Sequence, residues 1–271
     1  MRSVQPTRFP APLRSAASIC ALLVLWPLAG CVELPASARV RLNEAKANYD
    51  RHAYRAAVAR LDDTLSQYPD HPDSAEAYYL RSLCHTKLSN KVRAESDARR
   101  CLELSKQPDL TANAHATLAI LMYESNRTRE ALPHFAEALR SSQPRTNEDV
   151  LRYKYGLCLQ REGRWKEARL EFAAVFQRFP NGTAAQHARR LYNWPHPFYS
   201  IQCGVFRRQA DAEKLRSQLQ RWGFRGRVES MTRTGELVHV VYVGQFSRYG
   251  QARDALPAVQ RKIRDAFVVP Q

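Results

Sequence analysis

The sequence is poor in cysteine, glycine and acidic residues, and its apolar runs are short. Six cysteines in 271 residues do not make a disulfide scaffold, and ten glycines with fifteen prolines exclude a collagen-like or low-complexity chain. The apolar run at residues 16–25 has about ten residues, whereas a membrane-spanning helix needs about 20. The 26 Asp and Glu stand against 42 Lys and Arg, a formal charge of +16. The composition is that of a basic globular protein, long enough for two domains.

Catalytic and metal-binding signatures are also missing from the sequence. The eight histidines are scattered, and HExxH, GxSxG, GxxxxGK[ST] and metal-spaced sets of Cys and His do not occur. We interpret His239 as a packed, hydrogen-bonded side chain because it falls on the core side of a predicted strand. We therefore expect no enzymatic activity, no metal ion and no cofactor.

The N-terminus has the pattern of a secretory signal. Three arginines and no acid in residues 1–14 precede the apolar run. Residues 28–31 (Leu, Ala, Gly, Cys) resemble the bacterial lipobox, in which the cysteine is acylated and the preceding bond is cut. The resemblance implies loss of residues 1–30, lipidation of Cys31 and, because Val32 follows, sorting to the outer membrane, facing the periplasm. Ordinary signal cleavage beside a chance cysteine is the alternative.

Removal of this signal leaves the basic character intact. The mature chain would keep 39 basic and 26 acidic residues, a net charge of +13. A cationic surface suits anionic lipid headgroups, anionic polymers or nucleic acid. Export from the cytoplasm argues against nucleic acid.

A repeat with a period of 37 residues follows the short segment 31–37. Its anchors are Ala57, Ala94, Ala131 and Ala168, and a small residue stands twelve positions before each anchor. Small side chains let two antiparallel helices approach closely. We predict helical hairpins at 38–67, 73–105, 110–141 and 147–178 and a capping helix at 183–192, so that this domain covers 38–192.

The pattern resembles the tetratricopeptide repeat. The last two copies match best, through Leu118, Ala119, Met122, Ala131, Phe135 and Ala138, and then Tyr155, Gly156, Leu159, Ala168, Phe172 and Pro180. The resemblance implies an all-α solenoid that recruits protein partners through a curved surface. Its apolar residues are core by default, and Tyr78, Tyr79, Tyr153 and Tyr155 are candidates to line the concave face.

The last seventy residues have a different pattern. After a linker at 193–197, strand and helix periods alternate in the order βαββαβ over 198–270, and Gly204 and Phe206 recur forty positions later as Gly244 and Phe246. This order predicts a ferredoxin-like, RNP-like fold, with a four-stranded antiparallel sheet, two helices on one face and an open second face.

This duplicated module resembles the sporulation-related (SPOR) domain, whose members bind peptidoglycan glycan strands stripped of their stem peptides. Residues 196–271 hold 13 Lys and Arg against 6 Asp and Glu, which suits the lactyl carboxylates of such strands. Strand alternation places Phe198, Val238 and four candidate glycan contacts on the open face. The candidates are Ser200, Gln202, Val240 and Tyr242, together with Arg225 and Arg227 from strand two.

Val238 and Val240 depart from the SPOR pattern, because many members carry an aromatic residue and an arginine there. A Val, Val, Tyr stripe is also consistent with a protein contact. The sequence therefore leaves two functions open. One is a lipoprotein that binds glycan and recruits a partner, for example in cell division; the other is an assembly scaffold whose C-terminal sheet contacts protein.

Four cysteines remain in the mature chain besides Cys31. A bridge between Cys84 and Cys101 is conceivable in an oxidising periplasm, but buried thiols are favoured because these are small packing positions. For Cys158 we likewise expect a buried thiol, and Cys203 has no nearby partner on the last strand.

Overall fold

Helices form the first part of the structure, a computed structural model that describes residues 33–140, 147–194, 196–233 and 235–270. Cys31 lies outside the described residues. Within them, eight helices pair through short turns and a ninth follows. Their bounds are α1 Ala36–Asp50, α2 Tyr54–Gln67, α3 Ser74–Lys87, α4 Lys91–Leu104, α5 Pro108–Glu124, α6 Thr128–Leu139, α7 Glu148–Arg161, α8 Trp165–Arg178 and α9 Ala185–Tyr192. The predicted hairpins and capping helix agree with these bounds to within two residues.

Residues that are 37 positions apart in the sequence are buried in equivalent places in the helical hairpins. The anchors Ala57, Ala94, Ala131 and Ala168 are at most 1% exposed. In the last hairpin the small residue of the first helix is Gly156, and a Cβ built there would lie 2.6 Å from Cε1 of the buried Phe172. The ring therefore occupies the space that any larger side chain would need.

The turn inside each hairpin follows the same register. His52, Ser89, Asn126 and Gly163 all have left-handed backbone, with φ of 61°, 61°, 61° and 80°. In each turn the N–H of this residue donates to the carbonyl of the residue three positions earlier. The N–H of the following residue donates to the carbonyl five positions before it, as in a Schellman motif. Glycine adopts this backbone at no steric cost, and Gly163 is the only glycine among these four turn residues.

A histidine pair joins α5 to α6. Nδ1 of His115 lies 2.8 Å from Nδ1 of His134, so one ring donates and the other accepts. The positions 37 residues later hold Arg152 and Glu171, whose Nη1 and Oε2 form an ion pair at 3.0 Å. The third hairpin thus has two imidazoles where the fourth has a salt bridge.

We expect this pair to make the protein less stable in acid. The pKa of each histidine is lowered, chiefly because burial disfavours the charged imidazole. The charged neighbours are Glu137 facing His115, and Arg99, Glu95 and Glu130 facing His134. With a folded pKa below about 6.5 the unfolded chain binds more protons, so stability is complete above that pH and falls below it.

The measurement is denaturant unfolding of the mature chain at about pH 7.5 and about pH 5.5, which bracket the ordinary histidine pKa. The matched variant, His115→Arg with His134→Glu, copies the ion pair of the next repeat and should lose less stability on acidification. Equal losses in parent and variant would show that the pair is not the acid-sensitive element.

The C-terminal part is an antiparallel sheet of order β2-β3-β1-β4 with two helices. Its elements are β1 Tyr199–Phe206, α10 Gln209–Arg221, β2 Gly226–Arg233, β3 Glu236–Phe246, α11 Tyr249–Gln260 and β4 Phe267–Pro270. The predicted fold class, an all-α solenoid followed by a βαββαβ domain, is confirmed.

The repeated glycine motif has a steric cause. At Gly204 an added Cβ would lie 2.7 Å from the Phe206 ring, and at Gly244 it would meet the ring of Phe246 in the same way. Each phenylalanine thus folds back over the glycine two residues before it. Gly244 also has φ of +72°, and the register between β1 and β3 slips beside it.

The four cysteines of the described chain are free and buried, as favoured from the sequence. Cys84 and Cys101 both lie in the core of the first two hairpins. Burial raises the pKa of Cys84 to about 11 and that of Cys101, Cys158 and Cys203 to about 12. These thiols are therefore protonated and unreactive at neutral pH.

Candidate functional site

The two faces of the sheet carry the side chains that strand alternation predicts. Ile201, Cys203, Val241 and Val243 lie in the cluster that packs under α10 and α11. Val238, Val240 and Tyr242 form a separate cluster on the other face, which we call the outer face. The register places Ser200, Gln202 and Arg227 on this outer face as well.

The centre of the outer face is not open, and this expectation from the sequence is wrong. Ser200 and Val240 have no exposed surface, Tyr242 is 2% exposed and Gln202 is buried. One physical cause is that Met231 from β2 and Val269 from β4 pack against the cluster formed by β3. Val240 therefore has no surface with which to contact a sugar.

Arg227 lies across this face and donates three hydrogen bonds within the domain. Its Nη1 donates to the Gly244 carbonyl at 2.7 Å, its Nη2 to Ser200 Oγ at 2.9 Å and its Nε to Glu229 Oε1 at 2.6 Å. The guanidinium lies 5.0 Å from the centre of the Tyr242 ring. A sugar that stacks on Tyr242 must therefore displace Arg227.

The Gly244 bulge explains why these groups meet. Its carbonyl accepts from Ser200 Oγ at 2.9 Å as well as from Arg227. Contacts with Arg227 thus join three of the six residues expected from the sequence, namely Ser200, Arg227 and Tyr242, and Gln202 and Val240 lie on the same face. Sequence reasoning missed Glu229 and the Gly244 carbonyl as partners of Arg227. Alternation along β2 contained the signal for Glu229, which stands two positions after Arg227.

Two further cations, Arg225 and Arg233, lie at the two ends of β2. Arg225 is exposed just before the strand and forms no ion pair within the described part of the chain. Arg233 is exposed at the far end, where its Nη2 donates to Gln202 Oε1 at 3.4 Å. Arg233 was also missed, although it shares the face of Arg227 by alternation. The exposed positive charge of the outer face therefore lies at its rim.

Some cations in the repeats pair with acids of a neighbouring hairpin. Arg81 donates to both carboxylate oxygens of Asp97, at 2.9 and 2.7 Å, and to Asp62 at 2.6 Å. Despite desolvation by burial, which lowers it, the hydrogen bonds to Asp97 and Asp62 leave the pKa of Arg81 raised. Arg127 pairs with Glu95 in the same way between neighbouring hairpins. These networks hold hairpin to hairpin.

The candidate tyrosines of the repeats pack among their neighbours. Tyr78 is buried beneath the guanidinium of Arg81, and Tyr153 lies 6.0 Å from the Phe172 ring between centroids. Tyr155 packs in the same way on Phe135, at 5.8 Å. These three side chains act mainly in packing.

Two kinds of site are absent from the described residues. No cluster of three or more His, Cys, Asp or Glu side chains there is arranged to hold a metal ion. None of the helices in that part of the chain has the length and apolarity that a membrane span requires.

Three family models match parts of the chain. The SPOR domain matches residues 195–270, an outer membrane lipoprotein family (YfiO) matches 33–137, and a tetratricopeptide repeat matches 117–183. These families are of binding or scaffold kinds, and they point to the cell envelope. No curated protein matches the chain.

Solved structures resemble the helical part. YrrB, described as a tetratricopeptide protein with an unusual peptide-binding site, is 21% identical with a TM-score of 0.50, covering 57% of this chain and 74% of its own. PilF of Pseudomonas aeruginosa is 16% identical with a TM-score of 0.50, covering 56% of this chain and 66% of its own. At these identities the likeness concerns the fold alone. The chain therefore combines tetratricopeptide repeats with a C-terminal SPOR domain.

Proposed function

We propose that the protein is a non-enzymatic envelope lipoprotein that binds peptidoglycan glycan strands through its SPOR domain. The match of residues 195–270 to that domain carries the proposal. The surplus of seven basic residues in 196–271 supports it, because stripped strands expose a lactyl carboxylate on alternate sugars. No cofactor takes part, and nucleic acid is not a ligand.

The glycan contact begins at the rim of the outer face. Arg225 and Arg233, at the two ends of β2, are the exposed cations, and each would contact a carboxylate directly. Arg227 would join them once a carboxylate replaces Glu229 as its partner. Ser200, Gln202 and Tyr242 then become reachable, and the buried Val240 supports Tyr242 from the same face.

The other two parts of the proposal concern the tether and the repeats. Lipidation of Cys31 would hold the protein in the outer membrane, facing the periplasm, and the match of 33–137 to an outer membrane lipoprotein family supports this. The repeats would recruit a protein partner, and their likeness in fold to YrrB supports a peptide segment as the recognised element. The protein would thus link membrane, wall and partner.

We expect the mature chain, residues 31–271 with Cys31→Ser, to sediment with purified sacculi, and more of it after amidase treatment strips the stem peptides. Arg225→Ala combined with Arg233→Ala should weaken the affinity for sacculi by about tenfold, since each exposed charge pair contributes about 0.7 kcal/mol and about 1.4 kcal/mol is a factor of ten. Lys214→Ala, an exposed lysine on α10, is the control and should bind like the parent.

Three outcomes of this sedimentation would contradict the proposal. Failure of the parent to pellet with either preparation removes glycan binding. If the arginine variant binds as well as the parent, the rim is not the glycan contact. Crosslinking of the SPOR domain to protein, without retention on sacculi, would identify an assembly scaffold instead.

A further inference from the structure

The turn between α7 and α8 contacts the turn between β3 and α11. The indole Nε1 of Trp165, the first residue of α8, donates to the carbonyl of Ser247 at 3.0 Å. This bond joins the last repeat to the SPOR domain, and both parts lie in the single compact unit Leu34–Gln271. The five-residue linker at 193–197 is therefore not the only connection between them.

A continuous row of rings extends this contact on both sides. The Trp165 ring lies 5.2 Å from that of Tyr199, and Tyr199 meets Tyr249 edge to face at 5.6 Å. The guanidinium of Arg161 lies 5.5 Å from the Tyr249 ring and 5.1 Å from the Tyr123 ring. The row thus runs from α5 in the repeats to the first residue of β1.

Tyr199 is enclosed by this contact. It is 5% exposed, and burial raises the pKa of its hydroxyl. An aromatic side chain at the start of an edge-proximal strand would otherwise present much of its ring to water. Aromatic pairs add about 0.5–1.5 kcal/mol each beyond the area that they bury, so the row is a substantial interface for its size.

The register of 37 residues provides an internal comparison for this contact. Gly163 stands where the earlier repeats have His52, Ser89 and Asn126, all with the same left-handed turn. A Cβ at Gly163 would lie 2.9 Å from the Ser247 carbonyl oxygen. The turn itself accepts a side chain in three other repeats, so glycine here serves the close approach to the SPOR domain as well as the turn.

Tryptophan occurs at the position of Trp165 only in the last repeat. The equivalent positions hold Tyr54, Lys91 and Thr128. The repeat that meets the SPOR domain therefore differs from the others at two positions that make the contact, Gly163 and Trp165.

We infer that Gly163 and Trp165 form a dock that fixes the SPOR domain on the last repeat, so that the repeats and the sheet form one rigid body. The dock holds Tyr199, and the next residue of β1 is Ser200 on the outer face. A partner bound to the repeats and a ligand bound to the sheet are thereby held at a constant orientation. This inference does not depend on what either surface binds.

The test is a distance distribution from pulsed electron paramagnetic resonance on the mature chain with Cys31→Ser. Spin labels are attached at Val92→Cys on α4 and Arg253→Cys on α11, both exposed positions. The four native thiols are buried, with raised pKa, and react slowly. The rigid dock predicts one narrow distribution.

Two variants should broaden that distribution to the width of a short flexible tether. Gly163→Asn supplies the side chain that Asn126 has in the preceding repeat, and Trp165→Thr copies Thr128. The control Asn126→Gly changes the equivalent turn away from the dock and should stay narrow. A broad distribution in the parent, narrow distributions in both variants, or a control as broad as the variants would overturn the inference.

Discussion

Replacing Cys31 with serine should release the protein from membranes almost completely. The proposed anchor requires the Cys31 thiol for its thioether, and each buried methylene of an acyl chain contributes about 0.8 kcal/mol to membrane binding. Without the chains, only electrostatic adhesion of the basic mature chain remains, and salt screens it. The measurement is the distribution of the protein between membrane pellet and supernatant after a high-salt wash.

Cys20→Ser is the matched control for this experiment. Cys20 lies in the apolar run that the signal interpretation removes, so its loss should leave the protein in the pellet. Retention of the Cys31→Ser variant in salt-washed membranes would rule out Cys31 as the anchor.

Gly156→Val should destabilise the repeats more than any other single substitution considered. The Phe172 ring already occupies the place of the new side chain, and at 1% exposure the ring cannot move aside. Overpacking of this kind costs about 1–3 kcal/mol, which in a chain of this size lowers the melting temperature by about 2–10 °C. Calorimetry or circular dichroism of the mature chain measures the shift.

Gly250→Val on α11 distinguishes steric conflict from a general effect of valine in a helix. A Cβ at Gly250 meets no atom within 4 Å, so this variant should melt within about 2 °C of the parent. A Gly156→Val variant as stable as the parent would show that the small residue at this register is not a packing requirement.

The helical hairpins could be predicted because the sequence repeats with a fixed period. The hairpins follow from Ala57, Ala94, Ala131 and Ala168 because a fixed repeat must bury equivalent residues against equivalent neighbours. At three of the four left-handed turns no glycine marks the position, because His52, Ser89 and Asn126 adopt this backbone. The hydrogen bonds at the helix end, which recur in all four turns, fix the conformation.

The sequence predicted which face of the sheet carries the candidate side chains, but not how far these side chains are buried. Strand alternation placed Ser200, Gln202 and Tyr242 correctly on the outer face, because a period of two needs no knowledge of neighbouring strands. Their burial depends on the register between strands, which sets Arg227 opposite Tyr242. The slip at Gly244 is part of that register, and no local pattern of residues reveals which strand it disturbs.

The central claim is that a stripped glycan strand binds the outer face of the SPOR domain, beginning at the rim formed by Arg225 and Arg233. The most direct measurement is the change in backbone amide NMR shifts of the mature chain, with Cys31→Ser, when soluble denuded glycan fragments are added. We predict that shifts concentrate on β2 and on the first half of β1, around residues 225–233 and 200–202. Shifts confined to α10, α11 or the repeats, or no shifts at all, would contradict the claim.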